Sequence, residues 1–131
     1  MVEHIEAPDT YQARKVIKRL YESQNFKIQE EVKLDTVTNN MEEEIWPPYQ
    51  ADMLLTKEFI IELDPQTPDK GKSKGHGTKR RRNKDQWRDK NIKKQLDIPT
   101  VRLIPSDILQ QTDKQILDEI EWQLNRANLQ E

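Results

Sequence analysis

Three acidic residues in this chain have a spacing that suits metal-assisted hydrolysis: Asp52, Glu62 and Asp64. Glu62 and Asp64 stand two apart in Glu58-Phe-Ile-Ile-Glu-Leu-Asp64, so in a strand they share one face with Ile60. Asp52 lies in a second apolar segment, Tyr49-Gln-Ala-Asp-Met-Leu-Leu55, just before Thr56-Lys57-Glu58. If those three residues are the whole connection, Leu55 pairs with Phe59. Asp52 then falls opposite Glu62 and diagonal to Asp64. Cross-strand neighbours on one face have Cβ atoms about 5 Å apart. Carboxylates that close repel one another unless a cation lies between them. An even-length connection would move Asp52 to the other face and dissolve the cluster. Each acid alone reads more simply, as an exposed rung or as a strand end before Pro65. Glu62, however, interrupts Phe-Ile-Ile-Glu-Leu, where a covered strand ordinarily carries another hydrophobe. Oxygen ligands of this kind suit magnesium or manganese, which polarise a phosphate and activate water.

Other chemistries are excluded by what the chain lacks. It has no cysteine, hence no disulfide, thiolate nucleophile or cysteine-ligated zinc. Its two histidines, His4 and His76, cannot make a histidine-only zinc site. No more than four strongly apolar residues run together, which excludes a membrane span and the apolar stretch of a signal peptide. With 131 residues we expect one domain spanning 1–131, soluble and cytoplasmic. Hydrophobic residues make up 33% and charged residues 35%, so the core must be thin.

The net charge of -2 hides a segregation. Asp69 to Lys94 holds 12 Lys+Arg against 3 Asp+Glu, a local +9, which leaves -11 on the remainder. Such a segment binds a polyanion or is merely a solvated loop, and its location decides which. All three glycines (Gly71, Gly75 and Gly77) fall within it, and with Pro65 and Pro68 they mark a basic loop over about 65–80.

The elements that must position these residues follow from periodicity. Ala13, Val16, Ile17, Leu20 and Tyr21 predict an amphipathic helix from about Asp9 to Gln24, with Asp9 or Thr10 as N-cap. Its Arg14, Lys15, Lys18 and Arg19 lie mostly off the apolar stripe, as would a basic face that touches phosphates or, more often, is merely solvated. Phe26 to Leu34 suggests a strand or a bulged strand pair, because Glu30 and Glu31 break the alternation. Residues 35–48 read as irregular, and the two carboxylate-bearing strands follow. A helix is predicted over about Arg81 to Leu96, turning Trp87, Ile92 and Leu96 inward. Thr100 to Ile104 is a strand stopped by Pro105. Thr112, with Gln115 at capping-box spacing, starts the last helix, whose stripe is Ile116, Leu117, Ile120, Leu124 and Ala127. The order predicts a three-layer α/β fold, a central mixed sheet flanked by helices.

In this series the chain resembles the PD-(D/E)XK nuclease superfamily, with its restriction-endonuclease-like fold. The likeness rests on Ile61-Glu-Leu-Asp-Pro65, Gly75-His-Gly77, Asp85-Gln-Trp-Arg-Asp-Lys-Asn-Ile92 and Pro99-Thr-Val-Arg-Leu-Ile104 with Asp107-Ile108. It is nearest the branch with the very-short-patch-repair endonucleases and covers about residues 49–109. The resemblance implies a DNA endonuclease with a magnesium or manganese cofactor and a metal-activated water. Asp52 would be the central metal ligand, Glu62 the second, and Asp64 would stand where most of the superfamily has lysine. A carboxylate cannot supply that lysine's positive charge. Asp64 would then bind metal, and His76, Lys70 or Lys79 would carry the proton chemistry, His76 being equally readable as an ordinary loop histidine. Neither Glu6 nor Gln12 securely matches the glutamate that many relatives have on the first helix. The basic segment becomes a phosphate clamp, with Lys70, Lys72, Lys74, Lys79, Arg80, Arg81, Arg82 and Arg88 as nucleic-acid contacts. Trp87 reads as a core anchor and Trp46 as the better candidate for an exposed wedge. The implied partner is DNA, with a homodimer as a further expectation. The competing reading is a non-catalytic nucleic-acid-binding protein on the same scaffold.

Overall fold

A computed structural model describes residues 8–64 and 79–129 of the chain. Helix α1 (Pro8–Glu22) is followed by strands β1 (Ile28–Leu34), β2 (Tyr49–Leu55) and β3 (Phe59–Leu63). Then come helix α2 (Lys79–Leu96), strand β4 (Thr100–Leu103), and helices α3 (Pro105–Gln110) and α4 (Asp113–Leu129). The four strands form one mixed sheet in the order β1-β2-β3-β4. β1, β2 and β3 pair antiparallel, whereas β3 and β4 are parallel and α2 makes the crossover such a pair needs.

The pleat sorts the sheet's side chains into two sets. Met53, Leu55, Phe59, Ile61, Leu63, Val101 and Leu103 pack in one cluster with Ala13 and Ile17 of α1, Ile108 of α3, and Ile116 and Ile120 of α4. Leu54 and Ile60 lie in a second cluster with Leu34, Val37 and Ile92 of α2. Helices therefore cover both faces, and β3 is buried at all five positions. Strands buried on both faces read as continuous apolar runs, which is why Glu62 stands out there.

The connection between β2 and β3 is three residues long, with Leu55 opposite Phe59. Thr56 and Lys57 take left-handed φ values of 51° and 59°, a conformation that costs a β-branched threonine most. The turn is held from β1's side: Thr56 N–H donates to the Lys27 carbonyl at 2.7 Å, and Lys27 N–H donates to the Thr56 hydroxyl at 3.3 Å.

The last helix begins as expected. Thr112 N–H donates to Oε1 of Gln115 at 2.9 Å, and Gln115 N–H donates to the Thr112 hydroxyl at 3.2 Å. Four expectations need correction. α1 begins at Pro8, ahead of the expected caps, and proline suits a first helical turn because its missing N–H has no partner there anyway. α2 begins at Lys79 rather than near Arg81. Pro105 does more than stop β4, since it opens α3 as the first helical residue. Trp87 is 46% exposed and no core anchor; among the described side chains of α2, Ile92 is the one fully buried. Trp46, at 83%, is exposed as expected.

Candidate metal and phosphodiester site

Asp52 and Glu62 meet where β2 loosens its hold on both neighbours. The β2–β3 register runs from Leu55↔Phe59 to Met53↔Ile61 and does not include Asp52. On β2's other side the register includes Glu30↔Met53 and Val32↔Ala51 but not Glu31, whose φ is 54°. The local break explains why Glu30 and Glu31 spoil β1's alternation. Glu30 turns to Arg14 at 3.4 Å and Lys18 at 3.2 Å on α1.

Side chains take over the bonds the ladders leave open. The Asp52 N–H donates to Oε2 of Glu62 at 2.7 Å, and the Leu63 N–H donates to Oδ2 of Asp52 at 2.9 Å. The Asp52 carbonyl accepts from a guanidinium N–H of Arg14 at 3.0 Å. Each carboxylate thus braces the other's strand with one oxygen. The sequence did not point to Arg14 here: its side chain is only 12% exposed, not solvated as its place off the stripe suggested.

Burial sets the electrostatics. Glu62 is 5% exposed, and desolvation followed by the charge of Asp52 pushes its pKa up to about 7. The Asp52 N–H, Arg88 and Arg102 oppose that rise. Asp52 is also raised, first by burial, while the Leu63 N–H and Arg14 pull it back.

Two arginines complete the cluster. Arg88 of α2 meets Oε1 of Glu62 at 3.2 Å, donates to the Gln50 carbonyl at 2.7 Å and lies over the Tyr49 ring at 4.9 Å. Arg102 of β4, paired with Glu62 in the parallel register, grips Asp89 through two bonds of 2.8 Å. It also donates to Oδ2 of Asp64 at 2.8 Å and faces Asp85 at 3.7 Å. Burial alone would lower the Arg102 pKa, but Asp89 and Asp64 raise it, so this guanidinium stays charged. Gln123 of α4 binds both the N–H and the carbonyl of Arg102, each at 2.9 Å. In effect the amide acts as a partner strand for β4's outer edge.

Of the expected site residues, Asp52 and Glu62 come together through the Asp52 N–H to Glu62 bond, and Glu62 faces α2 through Arg88. Asp64 is near enough for its charge to act on Asp52, but its carboxylate bonds Arg102. Among the described residues, no group of three or more histidine or acidic side chains is arranged to hold a metal ion. Arg88, expected on phosphate, is engaged with Glu62. Lys79, Arg80, Arg81 and Arg82 form the start of α2. Lys70, Lys72, Lys74 and His76 lie outside the described residues. Strand alternation could have found Arg102, since Val101 and Leu103 face the core and Arg102 must share Glu62's side. Gln123 gives no comparable signal, because its role depends on how α4 docks.

A scan of protein-family models, a search of curated proteins and a search of solved structures each returned no match to this chain. Among the described residues no helix is long and apolar enough to cross a membrane.

Proposed function

We propose that this protein is a metal-dependent endonuclease that hydrolyses DNA phosphodiesters, built on the restriction-endonuclease-like plan of the PD-(D/E)XK superfamily. The observation that carries this reading is the pairing of Asp52 with Glu62, two desolvated carboxylates crossing between strands that have parted. Charges this close are unfavourable without cations to balance them, and among the described residues only Arg88 forms an ion pair with either carboxylate, at Glu62. The donor set fits a hard dication: Oδ1 of Asp52 has no hydrogen bond among the described residues, and Oε1 of Glu62 faces only a guanidinium. Magnesium or manganese held there would polarise a phosphodiester and lower the pKa of a bound water. The protein's own residues supply the remainder. The Leu63 and Asp52 N–H groups fix the two carboxylates, and Arg14 holds the Asp52 backbone. The basic start of α2, with Lys79 to Arg82, offsets the carboxylates' repulsion of a polyanion.

One observation favours the non-catalytic reading. Asp64 stands in the position of the superfamily's lysine and is tied to Arg102, so it provides neither a positive charge nor a free ligand. A cleavage assay separates the two readings. Purified protein, with plain, mismatched and branched DNA, is incubated with and without magnesium. The nuclease reading expects magnesium-dependent cleavage of at least one substrate. Binding without cleavage, even with magnesium present, would favour the scaffold reading. Replacing Arg80, Arg81 and Arg82 together by alanine should weaken DNA binding at every sequence. Each lost phosphate contact should flatten the log-affinity against log-salt slope by about 0.9.

A further inference from the structure

Arg88 is the one cation that forms an ion pair with Glu62 among the described residues, and its remaining contacts are few. One terminal nitrogen serves both Glu62 and the Gln50 carbonyl, while the ring of Tyr49 supports the guanidinium plane. Nε of Arg88 is buried with no hydrogen-bond partner among the described residues. A guanidinium carries five donors in a fixed fork, so this one is held well short of its capacity. Arg102 shows the alternative on the same sheet face: Nε and both terminal nitrogens are bound by Asp89 and Asp64. The oxygen that Arg88 touches, Oε1 of Glu62, is also the one not spent on the Asp52 backbone. It is the oxygen through which Glu62 would hold a metal.

We infer that Arg88 is a displaceable counter-cation: it neutralises Glu62 in the metal-free protein, yields Oε1 to a divalent cation, and then offers its guanidinium to a substrate phosphate. The inference rests on the metal-site reading above and adds a competition to it. Two cations cannot share one carboxylate oxygen at contact distance without strong repulsion. Arg88 also lies on the helix that begins with Lys79 to Arg82, so a released guanidinium extends that basic run toward the carboxylates. Its planar fork matches a phosphate bidentately. Arg88 is thus a positioning residue for Glu62 before metal binds and a phosphate ligand afterwards.

Manganese binding to the full chain at pH 8, followed by the electron paramagnetic resonance of free Mn2+, tests the competition without any turnover. Arg88→Met should bind Mn2+ at least tenfold more tightly than the unaltered protein, and Arg88→Lys should stay within threefold of it. The methionine variant should also bind DNA more weakly in the presence of metal. A second measurement needs no variant: on titration with Mg2+, the Arg88 side-chain N–H resonance should shift, and that of Arg102 should not. Unchanged or weaker Mn2+ affinity in a folded Arg88→Met protein overturns the inference, as does a stationary Arg88 resonance at saturating Mg2+. If Glu62→Gln abolishes Mn2+ binding while Arg88→Met leaves it unchanged, the metal site stands and only the competition fails. Absence of Mn2+ binding by every form overturns both.

Discussion

Arg88 and Arg102 both reach carboxylates on the α2 face, yet the two are held in opposite ways. Arg102 enters from a strand, is fastened by Asp64 and Asp89 through all three guanidinium nitrogens, and has its own backbone bound by Gln123. Arg88 enters from a helix, touches Glu62 through one nitrogen and leaves Nε without a partner among the described residues. The first arrangement ties β4 to β3 and α2. The second leaves its carboxylate open to a competitor. A buried ion pair is weak evidence for stability, but the difference in fastening separates a strut from a group that can move.

The largest effect should come from cutting the strut. Arg102→Met strips the counterion from Asp89 and Asp64, and should cost about 3 kcal/mol in urea unfolding. That figure sits at the low end for a broken buried pair because Asp64 is 47% exposed. Arg88→Met should cost only about 1 kcal/mol near pH 6, since Glu62 can take up a proton instead. Equal losses in the two variants would erase the distinction.

Next comes the pH dependence of Glu62. Its pKa moves from 4.5 to about 7 on folding, so between those values the native state holds a proton that the unfolded chain has released. Metal-free stability should therefore fall as pH rises across that window and stay level above it. Glu62→Gln removes the penalty. The variant should be more stable than the unaltered protein at pH 8, by on the order of 3 kcal/mol, with the advantage gone near pH 4. Thermal melts at the two pH values in a metal chelator check the sign. Better stability of the unaltered protein at pH 8 would show that Arg88 and the Asp52 N–H outweigh burial.

How much of this the sequence revealed depended on whether the cause was local. Loop length set the hairpin register from Leu55↔Phe59 to Met53↔Ile61, so the nearness of Asp52 and Glu62 was legible before any coordinates. The ladder stops short of that pair, and a side-chain bond joins them instead. The faces of β3 followed from alternation, and the capping box from Thr112 and Gln115. The left-handed Thr56 and Lys57 were not legible, because neither is a residue that favours that conformation and Lys27 makes it tolerable from 29 residues away. Trp87 was misread for a related reason. On a helix this charged, a lone aromatic gives no stripe by which to find the buried side. Arg14 looked like an ordinary surface cation because its partners lie on other elements. Asp64 looked like a third ligand because chain order cannot show that β4 delivers an arginine to it.

The smallest predicted effects concern local closure. Gln123→Ala leaves the N–H and carbonyl of Arg102 without their amide partner at the sheet edge, and should cost about 1–2 kcal/mol. Thr112→Ala removes one half of the capping box, for about 1 kcal/mol. If Asp52 and Glu62 hold a metal as proposed, both changes should leave Mn2+ affinity unchanged, since neither Gln123 nor Thr112 bonds either carboxylate.

The central claim, that Asp52 and Glu62 form a metal-dependent cleavage site, has one direct test. DNA cleavage is measured in magnesium for the unaltered protein, Glu62→Gln and Asp52→Asn, with DNA affinity measured alongside. The account predicts cleavage by the unaltered protein, a loss of at least about a hundredfold in either variant, and DNA binding that is kept or tightened. Full magnesium-dependent cleavage by either folded variant would contradict it.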